Sequence, residues 1–183
     1  MNKAVGAVLM AVMVIALVAC TGGPPGGLRV VDNFDLERYE GRWYEIARLD
    51  HRFERGLSRV TADYEQQTDG SVRVVNRGFD ERSGEWEEAV GKARFVDAPD
   101  QGRLKVSFFG PFYGAYNIVA LDQNRYEWVM VTGPTLGYLW ILARSPELDP
   151  AIYTRLVNVA REAGFATDKL IIVQHSPSDG AND

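Results

Sequence analysis

The sequence predicts an all-β fold, an eight-stranded up-and-down antiparallel β-barrel with one C-terminal α-helix packed outside and a short closing strand. Three observations carry that expectation. Short extended segments follow one another from residue 43 to residue 143, separated by turn-forming residues. Several of them alternate apolar and polar side chains, as a strand with one face in a core must. A single amphipathic helical stretch follows the last strand. Closing such a set of strands on itself removes the exposed edges that an open sheet would carry.

The elements can be justified in order. Residues 35–39 (DLERY) read as one helical turn opened by an acidic residue, which suits a helix N-terminus. Strands are expected at 43–49, 59–67, 72–79, 86–95, 103–109, 116–121, 126–132 and 138–143. Asp69-Gly70 is a strong hairpin signal between the second and third strands, and residues 122–125 (DQNR) make a tight link between the sixth and seventh. Val60, Ala62 and Tyr64 alternate with polar neighbours, whereas residues 138–142 (YLWIL) are apolar on both faces and need cover outside the barrel. Asp149 and Pro150 supply that cover's start, a cap followed by a first-turn proline. Ile152, Leu156, Val159, Ala160 and Ala163 then recur at helical spacing until Gly164 ends the helix. A last extended piece, 170–174, can pair back onto the barrel, and 176–183 read as a disordered polar tail.

Composition narrows the function. The 183 residues carry 25 acidic and 20 basic side chains, a net charge of −5, which excludes the basic face a nucleic-acid binder would need. One cysteine excludes an internal disulfide, and two histidines are too few for a metal cluster. No Gly-x-Ser-x-Gly elbow, His-Glu-x-x-His pair or Gly-x-Gly-x-x-Gly loop is present, so neither catalytic residues nor a cofactor or metal are expected.

The first twenty residues are an address. Lys3 is followed by an apolar run from Ala4 to Ala19, short for a membrane span of about 20 residues but suited to a secretory signal. The run ends in Leu17-Val18-Ala19-Cys20, which resembles a bacterial lipoprotein lipobox. That resemblance implies cleavage before Cys20 and acylation of its sulfur and amino group, because several acyl chains anchor stably where one does not. Thr21, a residue other than Asp, implies by the same resemblance lodging in the outer membrane, facing the periplasm. The expected organisation is a signal peptide at 1–19, a lipidated Gly/Pro-rich tether at 20–32, the barrel domain at 33–175 and the tail. The tether reads as a flexible tract unable to bury anything.

Three further points lie where a family signature would place them. Gly41-Arg42-Trp43 opens the first strand, Asp122 sits in the link after the sixth, and Arg144 ends the eighth. With residues 41–57 (GRWYEIARLDHRFERGL), 105–122 (KVSFFGPFYGAYNIVALD) and 138–146 (YLWILARSP), the chain resembles bacterial outer-membrane lipocalins, the group related to apolipoprotein D. The resemblance implies that Trp43 plugs the barrel floor and that Arg144 packs across its ring. It also implies a hydrophobic-ligand carrier.

The residues give their own account of a site. If Trp43 points inward, alternation also turns Glu45 and Ala47 inward, and Glu45 should be paired with a nearby arginine. Leu104, Val106 and Phe108 share one face of the fifth strand. Tyr116, Ile118 and Ala120 share one of the sixth, and Tyr138, Trp140 and Leu142 one of the eighth. Such a lining suits an acyl chain. The loops at the open end bring Phe53, Phe109, Phe112, Tyr113 and Leu136 together with His51, Arg52 and Arg55, an apolar mouth with cations beside it. The expected ligand is therefore a fatty acid or lysophospholipid, and the expected role is storage or transport of membrane lipid in the cell envelope. Alternatives are an envelope scaffold lipoprotein with an unused cavity, or a carrier of a tetrapyrrole or sterol. Aromatics at the mouth would also permit a homodimer.

Overall fold

The computed structural model describes residues 22–176. The signal segment, Cys20 and the tail beyond residue 176 lie outside the described residues. The element order is α1 (Leu36–Tyr39), β1 (Gly41–Arg48), β2 (Leu57–Gln66), β3 (Val72–Asp80), β4 (Glu85–Phe95), β5 (Arg103–Phe109), β6 (Phe112–Leu121), β7 (Trp128–Thr132), β8 (Leu139–Ala143), α2 (Pro150–Glu162), a 3-10 turn (Thr167–Lys169) and β9 (Ile171–Ile172). Strands β1 to β8 pair antiparallel in sequence, and β1 closes the ring by pairing with both β2 and β8. The fold class read from the sequence is the one found. Among the described residues, no helix is long and apolar enough to cross a membrane.

Local chemistry sets the ends. The Asp35 carboxylate accepts from the N–H groups of Glu37 and Arg38 at the start of α1. Gly70, at φ +76°, turns the β2–β3 hairpin in a conformation that side chains resist. Asp149 caps α2 by accepting from Ala151 N at 2.7 Å and Ile152 N at 3.3 Å, with Pro150 in the first turn. At its other end Gly164 takes φ +93°, and Phe165 N donates back to Ala160 O at 3.0 Å.

Two apolar layers result. The inner one fills the lower barrel with Tyr39, Trp43, Tyr64, Val72, Leu104, Ile118, Val129, Val131 and Leu142. The outer one joins Ile46, Met130, Leu139 and Ile141 to Leu156 and Ala160 of α2 and to Phe165. This is the cover that a strand apolar on both faces requires, and β8 contributes to both layers.

Two irregularities shift side chains that simple alternation would place inside. A bulge between Glu45 and Ala47 changes the phase of β1, so Ala47 lies opposite Ile141 and Arg48 opposite Trp140. Ala47 therefore belongs to the outer layer, against the expectation of a cavity contact, and Arg48 turns inward instead. A second shift between Ile118 and Ala120 sends Ala120 to the outer layer while Leu121 joins the inner one.

Two strand pairings also stop short of the mouth. Pairing of β4 with β5 ends at Lys92 with Ser107, and residues 85–90 of β4 are all exposed. Pairing of β1 with β2 ends at Tyr44 with Thr61, and the upper part of β1 pairs with β9 instead.

Candidate functional site

The closed end is tied by a few polar contacts around aromatic rings. The Arg144 guanidinium lies 4.0 Å from the centre of the Trp43 ring. It donates to three main-chain carbonyls, Arg42 at 2.7 Å, Arg38 at 2.8 Å and Tyr126 at 3.3 Å. Gly41 has φ +86°, and a Cβ there would lie 3.6 Å from Arg144 Nη1. Asp122 shapes the β6–β7 turn, its carboxylate accepting from Asn124 N and its carbonyl from Tyr126 N at 2.7 Å. Gly41, Trp43 and Arg144 are in one place, and Asp122 holds the turn that delivers Tyr126 to it.

Above Trp43 sits a tyrosine layer. The Trp43 indole donates to Tyr39 O at 2.9 Å, and the Tyr116 hydroxyl is hydrogen-bonded to those of Tyr39 (2.6 Å) and Tyr64 (2.8 Å). Burial pushes the phenols of Tyr39, Tyr64 and Tyr116 up, so all three stay neutral and can share protons in hydrogen bonds. Tyr116, expected as a ligand contact, is a member of this floor.

The upper barrel differs from the packed floor. Val106, Phe108, Tyr116 and Trp140 pack against the inner layer, yet each is only partly buried. The upper barrel is thus less completely filled by its own side chains than the floor. Ile118 and Leu142 are buried beneath them, and Tyr138 stacks on Trp140 with ring centres 6.1 Å apart.

One wall of the upper barrel is charged. Arg48 donates to Glu45 Oε1 at 2.7 Å and to the carbonyls of Glu54 and Leu57. Trp140 Nε1 donates to Glu54 Oε2 at 3.2 Å, and His51 Nε2 lies 3.1 Å from the same oxygen. Burial pushes the Glu45 carboxyl well up, and the neighbouring Glu54 charge adds to this; Arg48 opposes both. Burial also acts to raise Glu54, but hydrogen bonding and charge from His51, with help from Trp140 and Arg48, hold it below its ordinary value. Nothing in the sequence marks Arg48 or Glu54 as wall residues, because Arg48 turns inward through a bulge that no residue type in β1 announces.

The mouth is arranged differently from the expected cluster. Phe53, Phe109, Phe112 and Leu136 are exposed as expected. Arg52 is exposed beside the Phe53 ring, but Arg55 makes a two-pronged contact with Asp50 at 3.1 and 2.8 Å. His51 is buried against Trp140, with ring centres 5.0 Å apart, and so is part of the wall. Tyr113 faces outward, with Lys105 Nζ 5.2 Å from its ring centre. It borders a groove of about 530 Å³ whose lining also includes Asp69, Arg73, Val90, Lys92 and the inward-packing Phe108. Tyr113 shares its side of β6 with Ala115, which pairs with Lys105.

Comparison with known proteins gives a consistent picture. The model of the lipocalin-like domain matches residues 34–175. "Outer membrane lipoprotein Blc" of Vibrio cholerae serotype O1 is 50% identical over 152 residues, covering 83% of this chain and 89% of that protein. The protein of the same name in Escherichia coli K12 is 50% identical over 163 residues, covering 88% and 92%. Mouse apolipoprotein D is 30% identical over 147 residues, covering 77% of each. Among solved structures, insecticyanin of the tobacco hornworm superposes with a TM-score of 0.66 at 23% identity, covering 86% of this chain and 89% of that one.

Proposed function

The chain belongs to the lipocalin family, and on that premise we propose that it is a lipid-binding protein of the outer membrane, held there by acyl groups on Cys20. Its ligand is a fatty acid or lysophospholipid whose acyl chain lies in the upper barrel, and its role is storage or transport of membrane lipid in the envelope. The observation that carries this reading is the set of inward but partly exposed side chains Val106, Phe108, Tyr116 and Trp140 above a sealed floor. A space closed below and lined by apolar side chains on all but one wall favours a hydrocarbon chain entering from one end, because it removes that chain from water at about 0.8 kcal/mol per CH₂.

The head group stays at the mouth. Arg55 is already occupied by Asp50 and Arg48 by Glu45, so Arg52 is the cation placed to meet an anionic head. The names of the Vibrio and Escherichia relatives support the outer membrane, and Leu17-Val18-Ala19-Cys20 supports the anchor.

Native mass spectrometry of protein gently extracted from membranes tests the ligand. A mass increment matching one acyl lipid is expected, whereas a bound tetrapyrrole or sterol would replace the proposal. Replacing Cys20 by Ala should release the chain from the membrane fraction; unchanged attachment would refute the anchor.

A further inference from the structure

The N-terminal segment, expected to be a loose spacer, is fastened to the barrel and descends from its open end. The Gly22 carbonyl accepts from Asn117 Nδ2 at 3.3 Å, and the same amide nitrogen donates to Gly133 O at 3.3 Å. A Cβ on Gly22 would meet Pro134 Cβ at 3.5 Å. Gly133 and Pro134 open the β7–β8 loop, which belongs to the mouth. Farther on, Gly26 passes the C-terminal end of α2 so closely that a Cβ would lie 2.2 Å from Ala163 O. Leu28 packs in the outer layer, and Val31 exchanges hydrogen bonds with Ile118 and Gly102 at 2.9 Å.

That docking fixes where an anchor can be. Cys20 precedes Gly22 by two residues, a backbone reach of at most about 7 Å. A lipid on its sulfur therefore enters the membrane beside the mouth.

The mouth has the surface for such a neighbour. Phe53 (58% exposed), Phe109 (72%), Phe112 (79%) and Leu136 (41%) stand on three separate loops of that end. At the closed end the β6–β7 turn instead exposes Gln123, Asn124 and Arg125. Apolar tips spread around a rim match a broad apolar layer better than a single groove-bound segment, and they are more than scattered surface residues.

We propose that the rim docks on the bilayer holding the anchor, with Phe53, Phe109, Phe112 and Leu136 in the interfacial layer and the barrel opening directly onto lipid. This rests on the reading of Cys20 as the lipidated residue, and it makes the membrane itself the source from which an acyl ligand enters.

The test supplies the anchor chemically. The mature, unacylated chain beginning at Cys20 is coupled through its sole thiol to maleimide lipid in phosphatidylethanolamine–phosphatidylglycerol vesicles, with and without brominated acyl chains. Tryptophan is added at the rim by Phe112→Trp or at the closed end by Asn124→Trp, and the parent's emission is subtracted. The rim tryptophan should shift to the blue and be quenched by bromine, with the closed-end tryptophan unaffected. Quenching at the closed end, or at neither position, overturns the docking. Because coupling is covalent, this result is independent of whether cells acylate Cys20, which the Cys20→Ala fractionation decides, and of what fills the barrel.

Discussion

Glu45 is the residue whose behaviour is most constrained by its surroundings. It is buried on the inner wall, bonded to Arg48 and near Glu54, and burial holds its carboxyl well above the ordinary 4.5. In the unfolded chain it would release its proton near 4.5, so between that pH and its raised native value the native state binds more protons. Stability from this group is therefore greatest below pH 4.5 and declines as the pH rises through that window. Glu45→Gln keeps the shape and removes the titration. Urea unfolding from pH 4 to 8 should show the parent losing stability relative to the variant as pH rises; parallel curves would contradict the assignment. Glu45 and its arginine pairing were legible from alternation and the rarity of unpaired buried charge. The identity of the partner was not, because the bulge that turns Arg48 inward depends on how β1 must meet both β8 and β9.

At the scale of elements, strands and helix were legible because each is written in local chemistry: Asp69-Gly70 at a hairpin, Asp149-Pro150 and Gly164 at the ends of α2, alternation in β2. The N-terminal tract was not. Its glycines and prolines carry no periodic apolar pattern, yet Leu28 packs in the outer layer and Val31 bonds to main-chain groups of Ile118 and Gly102. Gly26 is the position where that seating is tightest, combining φ +68° with contact at Ala163. Gly26→Ala should therefore detach the segment at a cost of about 1–3 kcal/mol, by overpacking and by forcing a side chain into the left-handed region. Hydrogen exchange at Leu28 and Val31 should accelerate while exchange in β7 and β8 stays slow. Unchanged protection of Val31 would show that the segment is held in some other way. The same limit applies to Ala120, which alternation alone assigns to the inside and a register shift moves out.

The whole molecule divides into a floor that is built to stay closed and an upper barrel that is not. Below, Trp43, Arg144 and the three linked tyrosines leave no unpaired hydroxyl among them and fill the ring. Above, β4 leaves β5 beyond Lys92, while β1 leaves β2 beyond Tyr44 and the C-terminal strand bridges the two, bonding to Ile46 on one side and Arg59 on the other. The closed ring was legible from eight strands with no place for free edges; the opening between β4 and β5 was not, since no residue type marks where their pairing stops. A partly filled upper barrel above a packed floor, open at the end to which the N-terminal segment leads, is the arrangement expected of the proposed acyl-lipid carrier.

The most direct test of that account is a titration of the mature chain with lysophosphatidylcholine, followed through tryptophan emission, in parent and Val106→Glu proteins. Trp140 lies in the upper barrel, and Val106 packs there from β5. A saturable response at one lipid per chain is predicted, weakened at least about tenfold by Val106→Glu because the acyl chain would then press on an unpaired charge. No saturable response in the parent, or equal affinity in the two proteins, would contradict binding of an acyl chain inside the barrel.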